Sequence, residues 1–230
     1  MRFIQFFLGI SLAFNSTISQ AQVLCELNRG GAGVLPPTPT DPAPHSIDKV
    51  TFHRILDEVS NIYQPIFKQR GMKFKMISEW DSNQFNAFAS RGEPESIRYV
   101  TMYGGLASSP FMTEDGLRMV ACHEIGHHLG GAPTYSESMN WASAEGEADY
   151  WGTLKCMRIV LSYQDNVAWV RRHPIDSFAQ MACFRNFQTP NDQAICMRSV
   201  VAGLALARGL DFSTRPNYTK PSREKVAVTM

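Results

Sequence analysis

Apolar residues recur at helical spacing through residues 46–70, immediately before Gly71. Intervals of three or four positions place such side chains on one face of an α-helix. Pro65 falls inside the pattern, and its ring should kink the helix or end it before Gly71. The apolar positions are Val50, Ile55, Leu56, Val59, Ile62, Tyr63 and Ile66. The pattern therefore predicts an amphipathic helix that buries this face.

A different periodicity begins at residue 72, where apolar and polar side chains alternate up to residue 80. A period of two is typical of a β-strand with one buried face. The turn signal at residues 91–94 (Arg-Gly-Glu-Pro) precedes a second β-rich stretch, residues 97–103. We expect a strand and then a hairpin, followed by a break at residues 104–105 (Gly-Gly).

Helical patterns occupy most of the remaining chain. Thr113 is suited to cap a helix that ends at residues 130–131 (Gly-Gly), and Ser143 to cap a second helix that runs to about Leu161. A further helix is expected over residues 192–208. The helix that follows Ser143 should carry Trp151, Leu154, Met157 and Leu161 on its apolar face. This order of elements predicts a single α+β domain in which helices pack on a small antiparallel sheet.

The two ends of the chain differ in character from its middle. Residues 1–21 combine a basic start, an apolar run and small residues up to Ala21, which predicts a secretory signal peptide. Residues 22–46 are rich in Gly and Pro and suit an arm or linker. Residues 47–210 are the predicted folded domain, and residues 211–230 a polar tail. The chain is thus expected to be exported, to the periplasm or out of the cell, with no stable membrane span in its mature form.

Composition narrows the range of partners. The 44% of hydrophobic residues and 19% of charged residues suit one globular core. The formal net charge is only +1, from 22 basic and 21 acidic residues. Such a balance gives no electrostatic reason to expect a nucleic acid as partner.

Five cysteines follow Ala21, and an exported chain meets an oxidising compartment. An odd number leaves at least one thiol free. Cys122 is expected to be the free one, since it lies within a predicted helix and should pack into the hydrophobic core. Cys183 and Cys196 flank a polar turn and are predicted to form a disulfide, and Cys25 and Cys156 could form another.

The strongest chemical signal is the His-Glu-Ile-Gly-His sequence of residues 123–127. Two histidines four residues apart lie on one helix face, so His123 and His127 can bind the same ion. Zinc accepts two imidazoles and leaves room for a third protein ligand and a water. Glu124, about 100° round the helix from His123, can take a proton from that water. These residues predict a catalytic zinc site.

Several residues could supply the third ligand. A histidine three residues beyond a His-x-x-Gly continuation would fall at position 133, where the chain has Pro133. Glu145 is the better candidate, and Glu147 and Glu137 are alternatives. Asp149 shares a helix face with Glu145 and can accept a hydrogen bond from the far ring nitrogen of a metal-bound histidine.

Other polar residues could assist the chemistry. His128 points about 100° away from His127 and suits a surface or helix-end position better than ligation. His173 could stabilise an oxyanion, although a histidine beside two arginines is more often solvated. Tyr150, Tyr163 and Arg158 are further candidates, among which the sequence does not choose.

The chain resembles the HtpX-like gluzincin metallopeptidases, which include the CAAX prenyl proteases and the BepA-type peptidases. The resemblance covers about residues 50–160. It is carried by Asn-Ala-Phe-Ala at residues 86–89, Gly-Leu at residues 105–106, Val-Ala-Cys-His-Glu-Ile-Gly-His at residues 120–127, and Glu145 with Ala148 and Asp149.

This resemblance implies a zincin-like fold and one zinc ion bound by His123, His127 and Glu145. It further implies Glu124 as catalytic base, Asp149 as hydrogen-bond partner of a ligand, and a hairpin edge strand that pairs with extended substrate. The interval from His127 to Glu145 is 18 positions (145 − 127), shorter than is usual in the family. A more open cleft is therefore expected.

The expected activity is zinc-dependent endopeptidase hydrolysis of exported or envelope proteins. Two alternatives use the same residues: a zinc amidase that acts on cell-wall peptide, and a non-catalytic, zinc-dependent peptide-binding or assembly factor. Intact Glu124 favours an enzyme, because a pure binding protein has no need of a base.

Overall fold

The computed structural model describes residues 22–24, 46–137 and 139–210 of the 230-residue chain. The predicted signal peptide, most of the predicted arm, Cys25 and the predicted tail lie outside these ranges. The elements are β1 (Gln22–Leu24), α1 (Lys49–Gln69), β2 (Lys73–Glu79), β3 (Ala87–Arg91), β4 (Ile97–Tyr103), α2 (Glu114–Leu129), α3 (Glu145–Trp151), α4 (Met157–Leu161), α5 (Asn166–Arg172), α6 (Ser177–Asn186) and α7 (Pro190–Leu210). The predicted α+β class is confirmed.

Helix α1 begins at an N-cap, Asp48, whose carboxylate accepts the Thr51 backbone N–H. It continues through Pro65, which lies on the exposed side, and ends before Gly71, where φ is +73°. The buried face consists of Phe52, Ile55, Leu56, Val59, Ser60, Tyr63 and Phe67. Val50, predicted on this face, is instead 79% exposed.

The four strands form a sheet in the order β1-β3-β4-β2. Strands β3 and β4 are antiparallel and form the predicted hairpin. Strand β2 pairs parallel with β4, so the sheet is mixed and the prediction of a wholly antiparallel sheet is wrong. The connection from β2 to β3 crosses the end of β4 at Gly104 and Gly105. A Cβ on Gly104 would lie 1.9 Å from the Trp80 carbonyl oxygen, so glycine permits this crossing.

Helix α2 lies at the centre of the domain, against α1, β3, β4, α3 and α7. Thr113 caps it as predicted, since its hydroxyl accepts the Gly116 N–H, and Gly130 ends it. A buried network of charges fixes its first turns. Asp115 pairs with Arg118 of the same helix and with Arg198 of α7, while Arg118 also pairs with Glu58 of α1. The buried charges of Asp115, Arg118 and Arg198 thus each have a partner of opposite charge, which offsets the cost of burying them.

The chain from α3 to α4 is one continuous helical stretch with a π-helical segment, Gly152–Cys156, in the middle. A π-helical turn holds more residues than an α-helical one, so it rotates the apolar face. Leu154, predicted on that face, is 38% exposed, whereas Cys156 and Met157 are fully buried. The N-cap of α3 is Ala144, not the predicted Ser143. Ser143 instead uses its backbone to contact α2.

Helices α5 and α6 were not predicted. Each begins after an aspartate whose side chain accepts backbone N–H groups of the first turn: Asp165 for α5 and Asp176 for α6. Among the described residues, no helix is long and apolar enough to cross a membrane.

Two disulfides are present. Cys183–Cys196 joins α6 to α7, as predicted. Cys122–Cys156 joins α2 to the π-helical segment, so the predictions that Cys122 is free and that Cys156 pairs with Cys25 are wrong. Cys122 is buried in the core as expected. It is not free, because Cys156 lies on a helical segment that packs directly against α2.

Candidate metal centre

Two imidazoles converge on one side of α2. His123 and His127 lie one helical turn apart, and their Nε2 atoms are 3.1 Å from each other. His127 is fully buried, while the side chain of His123 is 13% exposed. The centre is therefore reached from the side of His123.

Hydrogen bonds at the far side of each ring fix its tautomer. His127 Nδ1 lies 2.8 Å from the Ser143 carbonyl oxygen, which can only accept. His123 Nδ1 lies 2.8 Å from the Asp149 carboxylate, another acceptor. When the rings are neutral, each Nδ1 therefore carries the proton and each Nε2 presents a lone pair to the space between the rings. Burial lowers the pKa of His127, which keeps this ring neutral.

Glu145, the first residue of α3, brings a carboxylate to the same point. Its Oε2 is 3.1 Å from His123 Nε2 and 3.7 Å from His127 Nε2. Its Oε1 accepts a hydrogen bond from the Tyr135 hydroxyl. Burial alone would raise the pKa of Glu145, but interactions with His123 and with the Tyr135 hydroxyl outweigh it and bring the pKa to about 2. The group is ionised at neutral pH.

The three donor atoms fit a metal ion. The ligand atoms of His123, His127 and Glu145 all lie within 4.8 Å of one another. In a tetrahedral zinc shell with bonds of about 2.0–2.1 Å, neighbouring donors are about 3.3 Å apart. The observed separations of 3.1, 3.1 and 3.7 Å scatter around that value. Two nitrogen lone pairs and a carboxylate oxygen at these distances repel one another unless positive charge lies between them.

Glycines allow α3 to approach α2 closely enough for this convergence. A Cβ on Gly126 would lie 2.7 Å from the Ala148 carbonyl oxygen and 2.9 Å from its Cα. A Cβ on Gly152 would lie 3.0 Å from the His123 backbone nitrogen. The two backbones therefore touch on both sides of the ligands, and the disulfide between Cys122 and Cys156 fixes the same contact.

Glu124 lies next to the centre in an enclosed setting. The residue is 1% exposed, and among the described residues neither carboxylate oxygen has a hydrogen-bond partner. Burial raises its pKa to about 7; His123 and then the Ala89 backbone oppose the rise, and Glu145 adds to it. A buried carboxylate without a partner calls for an explanation, and a role in proton transfer is one.

Strand β3 runs past Glu124 and carries a further strand on its outer edge. Val23 of β1 pairs with Ala89, the residue near Glu124, in an antiparallel register. Short as it is, β1 shows that this edge accepts an extended backbone beside the carboxylate.

The other predicted candidates lie away from these three ligands. His128 stacks on Trp141 and lies 2.9 Å from the Tyr99 carbonyl oxygen, and burial lowers its pKa to about 3. His173 stacks on Trp169 and lies 2.7 Å from its carbonyl oxygen. Neither belongs to the ligand group of the described residues.

The remaining candidates are also accounted for. Arg158 pairs with Asp192 of α7, 2.7 Å away. Tyr150 and Tyr163 are 53% and 76% exposed. Glu137 is exposed and Glu147 half-buried, and neither joins the two histidines.

Two contributors were missed from the sequence. The Ser143 carbonyl is a backbone group and leaves no signature in side-chain type. Tyr135 is the single tyrosine between His127 and Glu145, but its residue type and position alone do not indicate a contact with Glu145.

A sequence model of Peptidase family M48 matches residues 51–158. This range contains His123, His127, Glu145 and Glu124. No curated protein and no solved structure matches the chain significantly.

Proposed function

This chain belongs to peptidase family M48 through residues 51–158, and we propose that it is a zinc-dependent endopeptidase that cleaves exported or envelope proteins. Family membership makes it a metallopeptidase, whose substrates are peptides. The proposal adds the metal, the roles of the residues, the internal position of the cleaved bond and the compartment.

One observation carries the proposal: two imidazoles and a carboxylate present their donor atoms to one point, beside a buried carboxylate without a hydrogen-bond partner among the described residues. His123, His127 and Glu145 would hold one zinc ion, which leaves a fourth position for water. When bound, zinc supplies Lewis acidity toward the peptide carbonyl and lowers the pKa of that water.

The protein residues divide the remaining work. Glu124 accepts the proton of the attacking water and can pass it to the leaving amine. Its burial favours this exchange, because a carboxyl group with a pKa near 7 can both take and release a proton at neutral pH. Asp149 and the Ser143 carbonyl hold the two imidazoles in the tautomer that points Nε2 at the metal.

The edge of β3 is suited to align the substrate. An extended peptide that adds to this edge would place its backbone beside Ala89 and therefore beside Glu124. Strand β1 makes the same kind of pairing from within the chain. Backbone pairing of this kind selects for an extended segment rather than a chain terminus, which favours endopeptidase activity.

Export is proposed on two grounds. The predicted signal peptide at residues 1–21 would direct the chain out of the cytoplasm, and Cys122–Cys156 and Cys183–Cys196 would be maintained in an oxidising compartment.

The test is metal content and casein cleavage for wild type, Glu124→Gln and Glu145→Ala. We expect wild type to hold one zinc and cleave, Glu124→Gln to hold zinc without cleaving, and Glu145→Ala to lose zinc. Wild type that holds zinc but cleaves neither casein nor a library of extended peptides would contradict the endopeptidase assignment.

A further inference from the structure

Tyr135 divides the two oxygens of the Glu145 carboxylate between different partners. The tyrosine hydroxyl donates to Oε1, whereas Oε2 is the oxygen that lies near both imidazoles. The Tyr135 ring is also close to the ligand on α2, with 6.0 Å between its centroid and that of His127. Tyr135 therefore contacts the centre without supplying one of its three ligand atoms.

The loop that carries Tyr135 is anchored to the ligand helix by backbone bonds. The Tyr135 N–H donates to the Ala142 carbonyl over 3.0 Å, and Thr134 bridges to Ser143. Ser143 in turn donates its N–H to the His127 carbonyl over 2.9 Å and accepts from His127 Nδ1. The position of Tyr135 relative to His127 thus follows from the backbone of the loop.

Glu145, by contrast, lies at the exposed side of the centre. Its side chain is 43% exposed and stands on the first residue of a seven-residue helix without a side-chain cap. A carboxylate with two free oxygens can bind a metal through one or both, and rotation of the group exchanges them. A hydrogen bond from a hydroxyl to Oε1 restricts this rotation and disfavours metal binding through both oxygens.

We propose that Tyr135 is a positioning residue that holds Oε1 of Glu145, so that the carboxylate binds the metal through Oε2 alone. One-oxygen binding keeps the coordination number low and leaves a position for water. This inference rests on the proposed metal centre, but not on which substrate is cleaved. It predicts that the loop between the two ligand helices, and not only the ligands, sets metal affinity and geometry.

The test is a Tyr135→Phe variant, which removes the hydroxyl and keeps the ring. The matched control is Tyr150→Phe, which removes a hydroxyl from an exposed tyrosine on α3. Zinc affinity is measured by competition with a chromophoric chelator. The visible absorption of the Co²⁺-substituted protein reports coordination number, because four-coordinate Co²⁺ absorbs more strongly than five- or six-coordinate Co²⁺.

We expect Tyr135→Phe to lower zinc affinity by about 10- to 100-fold, the usual effect of losing a hydrogen bond to a ligand. Its Co²⁺ absorption should weaken as Glu145 binds through both oxygens, while Tyr150→Phe should match wild type in both readouts. Unchanged affinity and an unchanged Co²⁺ spectrum in Tyr135→Phe would overturn the proposal, even if cleavage were lost. Because both readouts are independent of hydrolysis, wild type that bound zinc tightly but cleaved nothing would refute the endopeptidase assignment and leave this inference standing.

Discussion

The two helices that meet at the metal centre differ in how fully the protein surrounds them. Helix α2 has 14 of its 16 residues buried, whereas α3 buries only Ala148 and Trp151 of its seven. Glu124 is accordingly 1% exposed, while the side chains of Glu145 and Asp149 are 43% and 72% exposed. One side of the centre is fixed by the core, and the other is held at the surface by a few specific contacts.

This difference shows which property each side contributes. Burial around α2 raises the pKa of Glu124 and holds His127 in the core, so the fold sets the electrostatics of the Glu124 carboxylate. The position of α3 instead depends on close backbone contact at Gly126 and Gly152, on a disulfide and on the Tyr135 loop. Changes to the burial of Glu124 should therefore alter chemistry, and changes that displace α3 from α2 should alter metal binding.

The largest effect is expected for Glu124→Gln. Loss of the base should lower kcat by about 10²- to 10⁴-fold, while zinc content stays at the wild-type level because Glu124 is not one of the ligands. Glu147→Gln is the matched control, since it removes a half-buried carboxylate on α3. A fall in zinc content in Glu124→Gln equal to its fall in activity would contradict the separation of base from ligands.

Removal of the disulfide at the centre comes next. The disulfide Cys122–Cys156 joins residues 34 positions apart. Its removal in the double variant Cys122→Ala/Cys156→Ala should lower the free energy of unfolding by about 3–4 kcal/mol, because the unfolded chain is then no longer cross-linked. The matched variant Cys183→Ala/Cys196→Ala removes a disulfide between residues 13 positions apart and should lower the free energy of unfolding by about 3 kcal/mol. Denaturant unfolding measures both. Only the first should also weaken zinc binding, so equal zinc affinity in the two variants would show that the Cys122–Cys156 bond does not hold α3 in place.

The buried base also predicts how the metal-free protein responds to pH. The pKa of Glu124 is about 7 in the folded chain against 4.5 ordinarily, so folded protein binds more protons between these values. Stability contributed by the protonated group is therefore lost as pH rises from about 4.5 to about 7, with a slope of at most about 1.4 kcal/mol per pH unit.

Unfolding of chelator-treated wild type and Glu124→Gln across this range isolates that contribution, because all other groups are common to both. As pH rises, wild type should lose stability relative to Glu124→Gln, so the unfolding free energy of the variant minus that of wild type should increase. A constant difference between pH 4.5 and pH 7 would place the pKa of Glu124 near its ordinary value.

A smaller effect is expected at the contact between the helices. Gly126→Ala places a methyl group against the backbone of Ala148, and overpacking of this kind costs about 1–3 kcal/mol. Because α3 must move away from α2, zinc affinity should fall. Gly146→Ala on α3 meets nothing within 4 Å and should retain zinc. Isothermal titration calorimetry measures the zinc affinity of both variants. Equal affinities would show that close contact between Gly126 and Ala148 is not needed for zinc binding.

The smallest effect concerns the strand on the β3 edge. Neighbouring amides on an antiparallel strand point to opposite sides, so Val23→Pro/Leu24→Pro removes whichever N–H pairs with β3. If substrate uses the same edge, KM for an extended peptide should fall a few-fold, on the order of 1 kcal/mol or less for one backbone bond, with kcat unchanged. Val23→Ala/Leu24→Ala keeps the amides and serves as the control. An unchanged or raised KM in the proline variant would assign the substrate to another surface.

Local patterns in the sequence predicted what local chemistry determines. The α1 periodicity, the Thr113 cap, the β3–β4 hairpin and the α+β class are all present in the structure. Spacing of four within one helix also predicted that His123 and His127 share a face, and in the structure their donor atoms converge with that of Glu145.

What escaped prediction depends on contacts between distant segments. The parallel pairing of β2 with β4 requires the crossing at Gly104, and the Cys122–Cys156 bond requires α3 to lie against α2. The π-helical segment, which exposes Leu154, interrupts a spacing that fits an ordinary helix. Tyr135 acts through a loop whose path follows from backbone bonds to His127 and Ser143.

The most direct test of the metal centre is anomalous X-ray scattering at the zinc absorption edge from crystals of the zinc-loaded protein. We expect one strong peak at about 2.0–2.2 Å from Nε2 of His123, Nε2 of His127 and Oε2 of Glu145. A zinc peak coordinated by other side chains, or one that both histidines bind while Glu145 does not, would contradict it.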